Sequence, residues 1–552
     1  MSKFPSISEL RSLSIPELEE LADQLRTEIP KLTKEKKGHM ESSLSVTELT
    51  IALHYSLNTP QDALIWDVGH QAYVHKVLTN RSDEFKTNRQ LGGISGFPRM
   101  AESEFDAFGT GHSSTSISAI SGMAMENRRK GLPNRHVAVI GDGALTGGMA
   151  YEALNFLGST QLNVLIVLND NRKAIDANVG ALHEMESYPE FFKSLNIQYL
   201  GEVDGHDLKF LLPTLKNALS YDRPRVLRVR TESTSLEVEP SFKADLPFHE
   251  VFGQAVKELL GKHEDITVIT PAMLSGAGLK ASKELYPARI IDVGIAEQHA
   301  ATFAAGIAAA GGRPILHLYS TFAQRAYDQI IHDIALQNLP VTICIDRAGL
   351  VGADGPTHHG AFDLAFLSAI PNLIITSPRN GVELRNVLHT GLQHNGPFVV
   401  RYPRDTEARF DAEGKFDTLE IGKAISLKEG AKLCIMSTGT MSRRALEVAE
   451  KLEGEGVNVG VMHHLFVTPL DKAALSAASK YNHWLVLEDS SRGGLTSLLS
   501  TWLHEQRVDE VRLSSIHLPH EFVEHGTVEE LHLKHKMDSR SVLEKCKELL
   551  HH

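Results

Sequence analysis

Asp142 and Asn171 each follow a short apolar run, 136–140 (H-V-A-V-I) and 164–168 (V-L-I-V-L), of the kind that forms a buried strand. Gly141 and Gly143 flank the aspartate in G-D-G, a turn in which a side chain would block the approach of backbone to a ligand. A helical pattern over 146–157 lies between the runs. The spacing therefore predicts neighbouring parallel strands with Asp142 and Asn171 at their carboxyl edge, where open α/β sheets bind ligands. One carboxylate, one amide oxygen and two phosphate oxygens form a hard, all-oxygen set suited to Mg2+. A lone G-D-G reads as an ordinary strand-to-helix turn. The N-D-N after the second run adds metal-capable oxygens and turns the expectation toward a diphosphate held through Mg2+.

A second group of chemical residues begins at Glu297, which opens an alanine-rich helix directly after a strand (D-V-G-I-A-E-Q-H-A-A-T-F). A carboxylate buried there tends toward a raised pKa and can share a proton with a heteroaromatic nitrogen. The bland alternative is a first-turn glutamate favoured by the helix dipole. Next, Y-S-T-F-A-Q-R supplies Tyr319, Phe322 and Arg325, with Phe322 able to stack on a planar ring or to serve as core. A glycine-rich loop after the following strand carries Arg347, Asp354, His358 and His359, and Arg404 follows V-V-R-Y-P. Two guanidinium forks on one edge suit a phosphate ester, while each arginine alone suits a surface ion pair. His39, His70, His75, His112, His358 and His359 fall in turns or near strand ends without soft-metal spacing, so proton transfer and hydrogen bonding are their expected uses.

These residues need a scaffold larger than one core. The chain has 552 residues, which predicts several domains. Strand and helix patterns alternate along it, as in parallel α/β units. Polar, aperiodic stretches at 231–247 and 404–417 read as linkers, giving an expected division at 1–235, 236–410 and 411–552. A net charge of −13 argues against a general nucleic-acid partner but allows local basic pockets. No apolar run reaches membrane-spanning length and the N-terminal stretch has no apolar signal core, so a cytoplasmic protein without a membrane partner is expected. Cys344, Cys434 and Cys546 are widely separated and read as buried thiols.

Together the stretches I-W-D-V-G-H-Q-A-Y-V-H-K, G-H-S-S-T-S-I-S, G-D-G-A-L-T-G-G-M-A-Y-E-A-L-N, A-E-Q-H, S-T-F-A-Q-R-A-Y-D-Q and D-R-A-G-L-V-G-A-D-G-P-T-H carry a resemblance. The chain resembles the 1-deoxy-D-xylulose-5-phosphate synthase family of transketolase-like thiamine diphosphate enzymes, over most of 36–405 and more weakly beyond. The resemblance implies an α/β fold of three parallel-sheet domains: a diphosphate- and Mg2+-binding domain, a pyrimidine-binding domain and a transketolase-type C-terminal domain. It implies thiamine diphosphate and Mg2+ as cofactors, with Asp142 and Asn171 on the metal. His70, Gly111, Gly143, Ala144, Asn171, Glu297 and Phe322 would contact the cofactor. Glu297, His39, His112 and His358 would be catalytic, and Tyr319, Arg347, Asp354 and Arg404 would bind substrate. The implied reaction takes pyruvate and glyceraldehyde 3-phosphate to 1-deoxy-D-xylulose 5-phosphate and carbon dioxide, a step toward terpenoid and thiamine precursors, in a homodimer. A related thiamine diphosphate enzyme, or a cofactor-binding protein without turnover, are the alternatives. The chain departs from the family's pattern in three places. Lys173 stands where a methionine is expected after Asn171, the long mobile segment after residue 182 is cut short, and R-T-E-S-T-S-L-E replaces K-G-x-G-Y.

Overall fold

The computed structural model describes residues 4–32, 39–171, 178–182, 188–232, 245–407 and 415–551. The substituted position Lys173 and the centres of both linker stretches lie outside them. The chain forms two compact units, Met1–Pro240 with Gly294–Ala296, and Ser241–Val293 with Glu297–His552.

The first unit is built on a five-stranded parallel sheet in the order Ala63–Trp66, His136–Gly141, Val164–Asp170, Arg225–Arg230, Gln198–Asp204. Its two central strands are the apolar runs of the sequence. Their side chains alternate between two cores: Val137, Val139, Leu165 and Val167 pack on one face, and Ala138, Ile140, Val164, Ile166 and Leu168 on the other. A strand covered on both faces must be apolar at every position, which is why these runs show no polar alternation. Each fully buried Val, Leu or Ile contributes about 1.5–3 kcal/mol, so a charged residue at Val167 would break the sheet at its centre. Residue Gly141 pairs with Asn169, so Asp142 and Asn171 leave the sheet at the same edge. The helical pattern over 146–157 resolves into a short turn, Asp142–Leu145, and a helix, Gly148–Gly158. Gly147 between them is extended (φ −70°, ψ 141°) and interrupts the run.

The second unit holds two principal sheets and a two-stranded ribbon. In the larger, Ile374–Thr376, Phe398–Pro403, Thr342–Ala348, Arg313–Tyr319, Ile266–Thr270 and Ile290–Asp292 are parallel, with Phe466–Thr468 antiparallel at one edge. The other sheet orders Ile425–Lys428, Gly460–His463, Leu433–Ser437, His483–Leu487 and Arg512–Ile516, parallel except for Ile425–Lys428. The linker stretches are less free than their composition suggests. Leu246–Pro247 and Thr406–Glu407 pair as a short antiparallel ribbon. All three cysteines are buried free thiols. Among the described residues no helix is long and apolar enough to cross a membrane.

Candidate active site

Asp142 is buried at the head of its helical turn, where it accepts a 2.7 Å hydrogen bond from Asn178 Nδ2. Burial and the neighbouring Asp170 carboxylate push its pKa up to about 7. Asp170, which the motif reading passed over, is itself buried and paired with Arg228, whose Nε donates at 2.7 Å; Arg228 Nη1 also donates to Glu202 at 2.6 Å. Two carboxylates in one low-dielectric place leave an excess of negative potential that a hard cation would neutralise. Asn171 follows directly after Asp170. Among the described residues no three His, Cys, Asp or Glu side chains form a metal cage. The donor set on hand therefore fits a Mg2+ that draws further oxygens from a bound phosphate rather than a site made by protein alone.

The D-V-G-H turn leaves the neighbouring strand in a left-handed conformation, with Val68 at φ 60° and Gly69 at φ 83°. A β-branched residue there is strained. A Cβ on Gly69 would lie 2.3 Å from Thr110 Oγ1 and 2.4 Å from Pro98 Cδ, so no other residue fits. This turn delivers His70, whose carbonyl accepts from Ser43 Oγ at 3.0 Å. His39 stands edge-on to His70, with ring centroids 5.6 Å apart, and close to Phe97. Burial, helped by His39, lowers the His70 pKa to about 3, so its ring is neutral and available to donate or accept one hydrogen bond. Gly111 and the half-buried His112 lie on the loop that leads into the helix Ser116–Arg129, and Gly143 and Ala144 lie in the turn begun by Asp142.

His75 does not belong with this group. Its ring is enclosed, with Nε2 2.9 Å from Asp106 Oδ1 and Nδ1 2.9 Å from His54 Nε2. It is a structural histidine, fully bonded inside the unit.

In the second unit Glu297 opens the helix Glu297–Ala309 and is buried, and its Oε2 has no hydrogen-bond partner. Arg325 Nη1 lies 4.0 Å from that oxygen. Burial raises the carboxyl pKa, and Arg325 opposes it only in part. A buried carboxyl oxygen without a hydrogen-bond partner is what a protonated ring nitrogen would complete, so the residue fits the aminopyrimidine end of thiamine diphosphate. Phe322 stacks on Tyr319 at 5.5 Å and 9° and meets His358 edge-on at 5.7 Å. Arg347, itself at φ 57°, lays its guanidinium 4.0 Å over the Tyr319 ring. Burial pushes the Tyr319 hydroxyl well above its usual pKa, and both Arg347 and Arg404 pull against that shift, so both cations stand near one phenol. Arg404 is half-exposed and pairs with Asp354 at 3.3 Å. Three groups thus follow the carboxyl ends of strands in the larger sheet: Glu297 with Arg325, Tyr319 with Phe322, His358 and Arg347, and Arg404 with Asp354.

His359 stands apart from this set. Val351 N–H donates to its Nδ1, which leaves Nε2–H to donate to Glu524 O at 3.0 Å. Burial lowers its pKa to about 4, so it is a neutral strut for the loop. His249 is a residue with no motif signal. It lies in the first turn of the helix Phe248–Lys262, and its pKa is lowered by burial, with Asp346 and Glu250 opposing and Arg347 and Arg404 adding to the shift.

Comparison with known proteins joins these two sets of residues to a family. The family model described as 1-deoxy-D-xylulose-5-phosphate synthase matches residues 1–188 and 184–231. The break between those segments falls where the shortened segment was expected. The transketolase pyrimidine-binding domain matches 245–407 and the transketolase C-terminal domain matches 422–542. A 1-deoxy-D-xylulose-5-phosphate synthase of Syntrophotalea carbinolica is 41% identical over 621 aligned positions, covering 100% of this chain and 98% of that protein. The alignment is longer than this chain, so the relative carries residues that this chain lacks. The Chlorobaculum tepidum enzyme of the same name is 40% identical, covering 98% of this chain and 97% of its own. A solved split-gene transketolase, an inactive β4 tetramer, is 25% identical with a TM-score of 0.50, over 55% of this chain and 98% of its own. The chain therefore belongs to the 1-deoxy-D-xylulose-5-phosphate synthase family, with a transketolase-like α/β fold.

Proposed function

We propose that the protein makes 1-deoxy-D-xylulose 5-phosphate and carbon dioxide from pyruvate and glyceraldehyde 3-phosphate, using thiamine diphosphate with Mg2+. The observation that carries this reading is Glu297: a buried, unpartnered carboxyl oxygen beside Arg325, in a chain matched along its length by synthases of that name. When bound, thiamine diphosphate supplies the carbanion chemistry that side chains cannot. Asp142 and Asn171 would hold Mg2+ at the diphosphate, with Gly143 and Ala144 beside them. His70 and Gly111 would complete the cofactor contacts of the first unit. Glu297 would hold a proton at Oε2 for the pyrimidine ring nitrogen, with Phe322 against the ring. His39, His112 and His358 are proposed to hold or move protons on the reacting oxygens, as imidazoles can. Arg347 and Arg404 would bind the acceptor phosphate, and Tyr319 and Asp354 would orient them through the stacking and ion pair described above.

The same reading divides the chain at 1–235, 236–410 and 411–552, which gives each principal sheet its own domain apart from the edge strand Phe466–Thr468. We infer a cytoplasmic homodimer, supported by the apolar side chains Met149, Tyr151 and Phe156 that the helix Gly148–Gly158 leaves exposed. Incubation with pyruvate, glyceraldehyde 3-phosphate, thiamine diphosphate and Mg2+ tests the activity by mass analysis of the sugar product. The expected result is deoxyxylulose phosphate with stoichiometric carbon dioxide. Turnover of xylulose 5-phosphate with pyruvate ignored would overturn it in favour of transketolase chemistry.

A further inference from the structure

Ser114 lies in G-H-S-S-T, next but one to His112, with its backbone at φ 67°. That left-handed conformation is costly for a residue with a Cβ and relaxed for glycine. The side chain is wholly buried, and both donors of the residue have a defined partner. Its N–H donates to Asp67 Oδ1 at 2.7 Å, while Ser116 N–H donates to Asp67 Oδ2 at 3.0 Å. Its hydroxyl donates to Ala144 O at 2.7 Å. Asp67 ends the strand that leads into the His70 turn, and Ala144 belongs to the turn begun by Asp142. One serine therefore ties together three stretches that carry the residues expected at the diphosphate end.

The opposite wall shows the same fit. Gly147 is the residue that breaks the helical pattern after G-D-G-A-L-T, and its φ of −70° is open to any residue. What excludes a side chain is Ser114: a Cβ at 147 would lie 2.3 Å from Ser114 Oγ and 3.0 Å from Ser114 Cβ, with Ala144 O next at 3.5 Å. Glycine at 147 and serine at 114 are thus one device, the first making room for the hydroxyl of the second.

We propose that Ser114 is a positioning residue for the cofactor site, clamping the Gly111–His112 loop to the Gly143–Ala144 turn, and that Gly147 is glycine in order to admit it. This rests on the reading of the first unit as the diphosphate-binding domain. A residue serving only the fold would be better replaced by glycine, since the Asp67 bond uses the backbone and survives the exchange while the strain disappears. Serine gives up that relaxation and gains one bond across the site.

The test uses the full chain and two readouts, calorimetric binding of thiamine diphosphate with Mg2+ and the unfolding midpoint of the cofactor-free protein. Ser114→Gly is expected to weaken binding by about five- to tenfold, the effect of one buried neutral hydrogen bond, while its midpoint stays level or rises. Gly147→Ala should weaken binding to a similar degree by displacing the hydroxyl. In the double variant the alanine finds nothing to displace, so binding should be no weaker than in Ser114→Gly alone. Unchanged affinity in Ser114→Gly, a fall in its midpoint that matches the loss of binding, or additive losses in the double variant would overturn the role of Ser114. Failure of the unaltered chain to bind thiamine diphosphate would instead overturn the functional reading on which it rests.

Discussion

Single residues in this protein divide by whether their polar atoms are already satisfied. His75 and His359 were grouped with the chemical histidines because their spacing puts them near turns, yet both have two ring nitrogens bonded inside the protein. Glu297 is the opposite case: it is as buried as they are, and one carboxyl oxygen is left without a partner. An unsatisfied buried carboxyl costs free energy in the folded protein, and in the proposed role a ligand nitrogen would offset that cost. Glu297→Gln should accordingly leave cofactor affinity within about tenfold and lower turnover by orders of magnitude, because the lost function is the mobile proton. Deuterium exchange at the thiazolium C2 of the bound cofactor reads this directly, and exchange at the unaltered rate would refute the role. Glu297 is legible in sequence because a carboxylate opens an otherwise alanine-rich helix directly after a strand. Asp170 and His249 are not, since their significance lies in which charges face them: Asp142 and Arg228 for one, Arg347 and Arg404 for the other.

At the scale of elements, the apolar runs in 136–140 and 164–168 announced strands without ambiguity, because burial on both faces leaves one kind of sequence. The break at Gly147 was invisible for the converse reason. Its cause is a hydroxyl brought from a distant loop, and propensity carries no trace of that contact. The same limit hid the core of the first unit's loop region. There Asp106 accepts from His75 Nε2–H at 2.9 Å, from both terminal nitrogens of Arg81 at 2.8 Å and from Arg99 N–H at 2.7 Å. With Asp106 taking the Nε2 proton, His75 Nδ1 accepts from His54 Nε2–H, and His54 Nδ1 accepts from the Thr59 hydroxyl at 3.0 Å. Burial lowers the pKa of both histidines, which favours the neutral form of this one-way chain, while Asp106 is held far below the usual carboxylate range by His75 and Arg81 against the effect of burial. Asp106→Ala should destabilise the cofactor-free protein by about 3 kcal/mol, because it leaves the buried Arg81 guanidinium with Glu102 as its one remaining carboxylate and takes the acceptor from Arg99 N–H and His75 Nε2–H. The sign of the pH effect follows from the depressed carboxyl: its contribution is present above the unfolded-state value of about 4 and is lost as pH falls below it. Urea midpoints for the two proteins should therefore converge on acidification below that point, and a gap that widened there would contradict the assignment.

At the scale of the whole molecule, alternating strand and helix patterns announced successive α/β units. They could not show that the ends of two linker stretches pair as the ribbon of Leu246–Pro247 with Thr406–Glu407, a contact between residues far apart in sequence. Self-association is equally a property of surfaces, and it sets the last prediction. The helix Gly148–Gly158 buries Ala150, Ala153, Leu154 and Leu157 in the core, as helical spacing requires, yet Phe156 remains 50% exposed and Met149, seven residues earlier on the same side, is exposed with it. Scattered apolar side chains on a surface need no explanation, but two on one side of a short helix that begins six residues after Asp142 form a pair next to the expected metal residue. In the proposed homodimer this helix would meet the second copy and so brace the turn that holds Asp142. Phe156→Glu puts a charge on the exposed side of the helix and leaves its buried side untouched. If the patch is an interface, sedimentation velocity should show the variant shifted to monomer at concentrations where the unaltered chain is dimeric. Thiamine diphosphate affinity should fall with it, because the brace on the Asp142 turn is lost. A variant that stays dimeric would place the interface elsewhere. One that becomes monomeric with undiminished cofactor affinity would show that each chain holds its site without help from its partner.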